Sequence, residues 1–330
     1  MPSSKAESVE RVPKMRTRRQ FCVHAAALSC ALAGFLACSA AEPGGPVAVA
    51  APRTTDTART LPAQAAAQVP LPNKPDTLHF AVIGDNGDGD RPQYEIGKQM
   101  ATWYGRFKFP LVVMMGDNIY GSDRPQDFVN KFESPYKFLL DNGVKFYASL
   151  GNHDSREQRY YKLFNMDGKL YYSFKAPKED VRFFALESSY MDQDQVKWVE
   201  DELKGANEKW KIVFFHHPFY SSAETHGSQV KLRATLEPLF IRYNVSLVLN
   251  GHDHVYERIK PQNGIQYFVE GSSGQLRRGD LRKGSPLTAF GNDTTRTFML
   301  MEIDGDTLTF NAITRSGAVI DAGVITARRK

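Results

Sequence analysis

The sequence predicts an α/β protein in which two mixed β-sheets are flanked by helices, as a four-layer α/β/β/α sandwich. Short apolar runs alternate with segments of helical spacing between residues 78 and 250. Five of these runs end in clusters of Asp, Asn, His or Tyr. From residue 265 onwards the chain instead carries alternating β segments. The first pattern is typical of strand-helix-strand units, and the second adds antiparallel strands to them.

Residues 1–40 have the composition of an export signal. A polar, basic start ends at Arg18 and Arg19, and an apolar, Ala-rich run over 22–37 is followed by small residues. This order is typical of a secretory signal peptide and not of a membrane span. The arginine pair resembles that of twin-arginine signals, which export folded proteins; an ordinary secretory signal is the alternative. We therefore expect an exported protein, periplasmic or secreted, that the export machinery recognises.

The cysteines and the linker set the domain boundary. Cys38 follows an imperfect lipoprotein cleavage pattern, so a lipid anchor there and simple cleavage shortly after it are both open. Residues 41–75 are rich in Ala, Pro and Thr and are predicted to be a disordered linker. The domain proper is predicted at 76–330. It contains no cysteine, so it has neither a disulfide nor a thiolate metal site.

The net charge is confined to the N-terminal region. Residues 1–75 hold 9 basic and 4 acidic residues, whereas residues 76–330 hold 33 of each. A balanced domain without a basic patch of interleaved aromatics gives no support for nucleic-acid binding. Affinity for anions must therefore come from a local site.

The chain order gives the predicted elements. The buried strands and the helices between them are followed by a β-rich C-terminal part with a hairpin turn at 304–306. Predicted strands are 78–83, 110–115, 144–150, 170–176, 181–188, 211–215, 245–249, 265–271, 296–303, 307–314 and 318–326. Predicted helices are 91–107, 128–140, 193–203 and 230–243, with a further helix around Tyr160.

The five polar clusters are GDNG, GDNIY, GNHD, HHP and GHDH, in this order. Each cluster alone can be explained as a turn, because Asp, Asn and Gly are common after strands. The five clusters together indicate a site, because parallel strands end at one edge of a sheet and would crowd carboxylates, an amide and imidazoles there. Such a cluster needs cations to be stable. Oxygen and imidazole ligands without thiolate favour iron, manganese or zinc.

In this order the motifs resemble those of the calcineurin-like metallophosphoesterases over roughly residues 78–270. The tyrosine of GDNIY makes the chain similar to the purple acid phosphatase branch, and the short region before residue 76 makes it similar to the compact form. The resemblance implies two metal ions. Asp117 would bridge them, one ion would be held by Asp85, Tyr120 and His254, and the other by Asn152, His216 and His252.

The tyrosine bears on the identity of the metals. A phenol has a pKa near 10, so a Tyr120 phenolate needs a strongly Lewis-acidic ion, and Fe(III) is the natural candidate. The second site, with neutral Asn and His, would hold a divalent Fe, Zn or Mn ion. If Tyr120 were instead a packed aromatic without metal contact, the protein would resemble a generic dinuclear phosphoesterase.

Further residues are candidates for contacts with substrate. The resemblance implies that His153 protonates the leaving group or contacts phosphate, with Asp154 orienting it. His226 is similar to a substrate-loop histidine, with an exposed loop histidine as the alternative. His217 departs from the common pattern and is interpreted as supporting the ligands.

The predicted function is an exported phosphatase that hydrolyses small phosphomonoesters by attack of a metal-bound hydroxide on phosphorus. Two metals about 3.5–4 Å apart suit this chemistry because they activate water and clamp the phosphoryl oxygens. The alternatives are a phosphodiesterase with the same centre and a non-catalytic module that binds metal or phosphate.

Overall fold

The computed structural model describes residues 69–328. The predicted signal peptide and Cys38 lie outside these residues. Thirteen strands form two sheets within them: β1 Leu78–Ile83, β2 Leu111–Met115, β3 Lys145–Ser149, β4 Tyr172–Lys175, β5 Val181–Ala185, β6 Trp210–Phe214, β7 Leu247–Asn250, β8 Tyr256–Ile259, β9 Gln266–Glu270, β10 Thr288–Asn292, β11 Thr297–Asp304, β12 Thr307–Thr314 and β13 Val319–Thr326.

The strand order confirms two mixed sheets. The first sheet runs β13-β12-β11-β1-β2-β3, and the second runs β10-β8-β9-β7-β6-β5-β4. In the first, β1, β2 and β3 are parallel, and in the second, β5, β6, β7 and β9 are parallel. Parallel strands deliver their carboxyl ends to one edge, which is the property that the site requires.

Apolar side chains join the two sheets into one core. Phe80 of β1 packs edge-on against Phe183 of β5, with ring centroids 5.3 Å apart. Phe268 of β9 packs in the same way against Phe310 of β12, at 4.9 Å. Strands that are buried on both faces have nearly continuous apolar sequences, and β1, β2 and β6 are therefore predictable from the sequence.

Helices cover the outer faces and complete the predicted four layers. They are α1 Arg91–Tyr104, α2 Pro125–Phe128, α3 Ser134–Asp141, α4 Gln193–Gly205 and α5 Val230–Arg242, with a π-helical turn at Val129–Glu133 joining α2 to α3. On the second sheet, Leu203 of α4 and Phe240 of α5 belong to one buried cluster with Val213 and Val248. Apolar residues at helical spacing therefore bury the inner face of each helix.

Some predicted elements were wrong in detail. The helix expected around Tyr160 is a pair of short 3-10 turns at Arg156–Tyr160 and Lys162–Phe164. Strands β8 and β10 were not predicted. The last residues of the predicted linker lie against the domain, because Leu71 packs on the core and the Lys74 backbone N–H donates to Glu302 at 2.8 Å. No helix within 69–328 is long and apolar enough to span a membrane.

Candidate metal centre

The predicted ligands follow the carboxyl ends of five parallel strands. Asp85 comes after β1, Asp117 and Tyr120 after β2, and Asn152 after β3, all in the first sheet. His216 follows β6 of the second sheet, and His252 and His254 follow β7. Both sheets therefore present their polar tips at the edge where the sequence predicts a site.

The backbone at three of these tips adopts a left-handed conformation. Asp85 and Asp117 both have φ of 51°, and His252 has φ of 73°. Such angles are uncommon outside glycine, although Asp and His adopt them more often than most residues do. Backbone strain of this kind is concentrated at functional sites, where the surrounding structure holds it in place. The turns thereby direct these three side chains back over the strand ends.

Glycines leave the space that the ligand side chains occupy. A Cβ atom at Gly151 would lie 2.2 Å from Asp117 Oδ1, and one at Gly251 would lie 2.4 Å from Asp85 Oδ2. A Cβ at Gly116 would lie 2.7 Å from His216 Nδ1. The glycines of GDNIY, GNHD and GHDH are thus required by the close approach of ligand atoms.

One group of donor atoms contains Asp85, Asp117 and His254, whose ligand atoms lie within 4.8 Å of one another. Tyr120 joins this group, since its hydroxyl is 3.2 Å from Asp85 Oδ1 and 3.3 Å from His254 Nε2. His254 Nε2 is 3.4 Å from Asp85 Oδ1. Four side chains from both sheets therefore face one small volume.

A second group contains His216, His217 and His252, each with a ring nitrogen that lies within 4.8 Å of those of the other two. His216 Nε2 lies 3.0 Å from Asn152 Oδ1 and 3.1 Å from His252 Nδ1. It also lies 3.5 Å from Asp117 Oδ2, so Asp117 contacts both groups. This position is the one that a bridging carboxylate would occupy.

Burial disfavours charge at both groups. Burial raises the pKa of Asp85 well above its ordinary value, and Asp117 raises it further. Burial, and then Asp85 and Asp117, raises the pKa of the Tyr120 phenol. Burial lowers the pKa of His216, and His217 lowers it further. Bound cations would reverse the effect on the carboxyl and phenol groups, because opposite charge favours their ionised forms.

His153 and His226 are exposed and lie beside different ligands. The His153 ring centroid is 4.9 Å from that of Tyr120, and its backbone N–H donates to Asp117 Oδ1 at 2.9 Å. The His226 ring centroid is 4.4 Å from that of His252. The structure therefore places both predicted substrate contacts at the rim of the centre.

The sequence suggested that Asp154 orients His153, but in the structure its carboxylate binds other donors. Its carboxylate accepts the backbone N–H groups of Gly151, Asn118 and Ile119 at 2.8–3.0 Å, and the Asn118 side chain at 2.8 Å. The prediction assumed contact between neighbours in sequence. The four N–H donors instead make Asp154 a brace that ties the loop after β2 to the loop after β3.

Ser188 contributes to the site, although the sequence does not predict it. Its hydroxyl lies 2.8 Å from His217 Nδ1, but no motif marks a serine at the end of an ordinary strand. Asp253 supports the loop of His226, because its Oδ1 accepts the N–H of the neighbouring Gly227 at 3.3 Å. Arg258 pairs with Asp321 at 2.8 Å and therefore anchors β8.

The arrangement defines a class of protein. A two-sheet α/β sandwich with carboxylate, amide, phenol and imidazole groups at one strand edge is that of a metallophosphoesterase. The model of the calcineurin-like phosphoesterase family matches residues 78–256. The chain belongs to this family.

Relatives of known name support the assignment. Mouse tartrate-resistant acid phosphatase type 5 is 26% identical over 239 residues, which cover 59% of this chain and 72% of that protein. The Fe(3+)-Zn(2+) purple acid phosphatase 12 of Arabidopsis thaliana is 28% identical over 228 residues, covering 61% of this chain and 48% of that one. The curated relatives are thus acid phosphatases, which are metal-dependent phosphoric ester hydrolases.

A solved structure supports the fold alone. GAP50, the anchor in the inner membrane complex of Plasmodium, superposes with a TM-score of 0.66 at 21% identity. The match covers 77% of this chain and 90% of that one.

Proposed function

We propose that this protein is a phosphatase that hydrolyses phosphomonoesters at a dinuclear metal centre. The observation that carries the proposal is the position of Asp117, whose carboxylate contacts both groups of donor atoms. One ion would take Asp85, Asp117, Tyr120 and His254, and the other Asp117, Asn152, His216 and His252. Each ion would then have four protein donors, drawn from both sheets.

The residues present fit such ions. Glycines leave the space that the carboxylates of Asp85 and Asp117 occupy. The imidazoles of His216 and His252 have lowered pKa values, so they remain neutral and able to bind metal. When bound, the two ions would supply activated water near neutral pH and a clamp for the phosphoryl oxygens. The protein supplies a fixed geometry, in which Asp154 and the strand ends hold the donors in place.

We propose Fe(III) at the Tyr120 site and a divalent ion at the other. The raised pKa of Tyr120 means that only a strongly Lewis-acidic ion would convert it to phenolate. The name of the Arabidopsis relative records that pair of charges for that protein. A visible absorption band that is present in the wild type and lost in Tyr120→Phe would support the assignment. A band of equal strength in both proteins would contradict it.

His153 and His226 would act on the substrate from the rim. His153 lies beside Tyr120, and its N–H bond to Asp117 fixes its backbone at the centre. From there its ring can donate a proton to the leaving oxygen. His226 lies beside His252 and would contact the phosphoryl group on the side of the second ion. Both rings are exposed, so a substrate reaches them without a large rearrangement.

The function is tested with purified, metal-loaded protein and two chromogenic substrates, p-nitrophenyl phosphate and bis(p-nitrophenyl) phosphate. We expect the monoester to have the higher kcat/KM, by about 10-fold or more, a difference of ~1.4 kcal/mol in transition-state stabilisation. The reverse order would identify a phosphodiesterase. Binding of two metals without hydrolysis of either ester would identify a non-catalytic module.

Export is a separate part of the proposal. The basic and apolar order of residues 1–40 supports it, and the twin-arginine pair suits a fold that acquires its metals before transport. The test is cell fractionation of the wild type and of a variant with Arg18→Lys and Arg19→Lys. We expect the variant to remain inside the cell, and normal export of the variant would contradict the twin-arginine route.

A further inference from the structure

His217 lies close to the proposed ligands although the ligand assignment does not use it. Its ring centroid is 4.3 Å from that of His252 and 4.9 Å from that of His216. One of its ring nitrogens is within 4.8 Å of a nitrogen of each of those residues. His217 is therefore near enough to act on whatever binds at the second site.

Ser188 holds the His217 ring from the side of Nδ1. The Ser188 hydroxyl oxygen accepts the backbone N–H of His217 at 3.1 Å and lies 2.8 Å from His217 Nδ1. A hydroxyl has one hydrogen to donate. A hydroxyl that donates this hydrogen to Nδ1 while it accepts the backbone N–H leaves the hydrogen of the neutral ring on Nε2.

In this state His217 acts differently from the ligands. A nitrogen that carries hydrogen has no lone pair for a metal, so Nε2 acts as a hydrogen-bond donor. It remains a donor if the ring also gains a second proton, because both nitrogens then carry hydrogen. The donor function is thus independent of the charge of the ring.

A cavity of about 350 Å³ opens beside this group. Its lining includes Asn152, Ser188, Tyr190, His217 and Gln229. Asp154 is its only acidic lining residue, and that carboxylate is occupied by the N–H groups of the neighbouring loops. Without a free carboxylate to repel it, an anionic oxygen can approach His217 through this opening.

We propose that His217 binds the substrate, with Nε2–H donating to an oxygen of the phosphoryl group next to Asn152 and His252. Ser188 is the positioning residue that holds the ring in this state. The proposal rests on the proposed phosphoester function and adds to it a contact that the ligand set does not provide. The ligand chemistry is that of a phosphate dianion or of the phosphoryl end of a monoester.

The test compares His217→Phe, which keeps a ring without a donor, with His217→Gln, which keeps an amide N–H donor. Three quantities are measured on metal-loaded protein: metal content, affinity for inorganic phosphate by calorimetry, and KM and kcat with p-nitrophenyl phosphate. We expect unchanged metal content in both variants. Phosphate affinity should fall about 10- to 100-fold in His217→Phe, the loss of one hydrogen bond to a charged group, and recover largely in His217→Gln.

Ser188→Ala provides a second test that leaves the imidazole in place. It should weaken phosphate binding less than His217→Phe does, because the ring stays but loses the hydroxyl that holds its Nδ1 side. Thermal melts of all variants confirm folding, so a loss of binding is not mistaken for a loss of structure.

Three outcomes would overturn the proposal. Loss of metal in the folded His217→Phe variant would make His217 a ligand. Full metal content with unchanged phosphate affinity in that variant would show that the ring does not contact the anion. Absence of phosphate binding by metal-loaded wild type would remove the site itself. If the wild type binds phosphate but hydrolyses no ester, the proposed function fails while the phosphate affinities still test His217.

Discussion

The two sheets contribute different chemistry to the same edge. The first sheet provides the oxygen donors, with carboxylates at Asp85 and Asp117, a phenol at Tyr120 and an amide at Asn152. The second sheet provides the imidazoles at the ends of β6 and β7. Neither sheet alone presents both donor types. In the proposed assignment each ion takes donors from both, so the centre exists only when the sheets are packed together.

The site is therefore a product of tertiary structure. The core contacts between β1 and β5 and between β9 and β12 fix the distance between the sheets. That distance in turn fixes the separation of oxygen and nitrogen donors at the edge. Bound ions would act as cross-links between the sheets and add to the stability of the fold.

The largest expected effect comes from Asp117→Asn, because Asp117 is the one donor assigned to both ions. Loss of the bridging charge should lower both metal content and kcat/KM. We expect a decrease in rate of about 10³-fold or more, at least as large as the loss of one oxyanion-hole donor. Steady-state kinetics and elemental analysis measure it. A variant that keeps two ions and most of its activity would show that Asp117 does not bridge.

Removal of metal should reduce stability, since the ions link the two sheets. A ligand at 100 times its Kd stabilises a protein by ~2.7 kcal/mol, so chelation should lower the Tm of the metal-loaded protein by about 5–10 °C. Differential scanning calorimetry with and without chelator measures this. Asp117→Asn is the control, and its Tm should respond little. An identical Tm for chelated and loaded wild type would contradict the cross-link.

Gly151→Ala tests the space that Gly151 leaves for the carboxylate of Asp117. The new Cβ would lie 2.2 Å from Asp117 Oδ1, so the carboxylate must move. Overpacking of this kind costs about 1–3 kcal/mol, and we expect weaker metal binding as well. Gly205→Ala at the end of α4 is the matched control, because a Cβ there meets no atom within 4 Å. Denaturant unfolding of both variants gives the free energies; equal values would refute the steric argument.

Glu270 is a buried carboxyl group of the second sheet that does not belong to the proposed donor set. It accepts hydrogen bonds from Thr297 at 2.9 Å, and burial raises its pKa from 4.5 to about 8. A raised pKa in the folded state gives stability that is present below pH 4.5 and lost as the pH rises to about 8.

Glu270→Gln removes this pH dependence. Relative to the variant, the wild type should therefore lose up to about 1.4 kcal/mol of unfolding free energy between about pH 6 and pH 7. Urea unfolding at the two pH values measures the difference. A gap between the proteins that does not change with pH would show that Glu270 is ionised throughout this range.

Much of the architecture could be predicted from local pattern. Runs such as residues 111–115 are apolar throughout and end at Gly-Asp steps, so both the strand and its polar tip are visible in the sequence. The ordered motifs then identified the family. Strands β8 and β10 were missed because they are short and pair with each other although β9 lies between them in the chain, a contact that neither segment reveals by itself.

The details of the site were less accessible for the same reason. Asp154 follows His153 in the chain, yet its carboxylate turns to the backbone of Asn118 and Ile119. Ser188 reaches His217 only because β5 and β6 are adjacent and parallel. Contacts between strand ends depend on the order of strands in the sheet, which residue spacing alone does not give.

The most direct test is the metal content of the purified protein after loading with iron and zinc. We expect two ions per chain in the wild type, one in His254→Ala, which loses a donor from the Tyr120 site, and one in His216→Ala, which loses a donor from the other. A folded wild-type protein that binds one ion or none under saturating conditions would contradict this expectation.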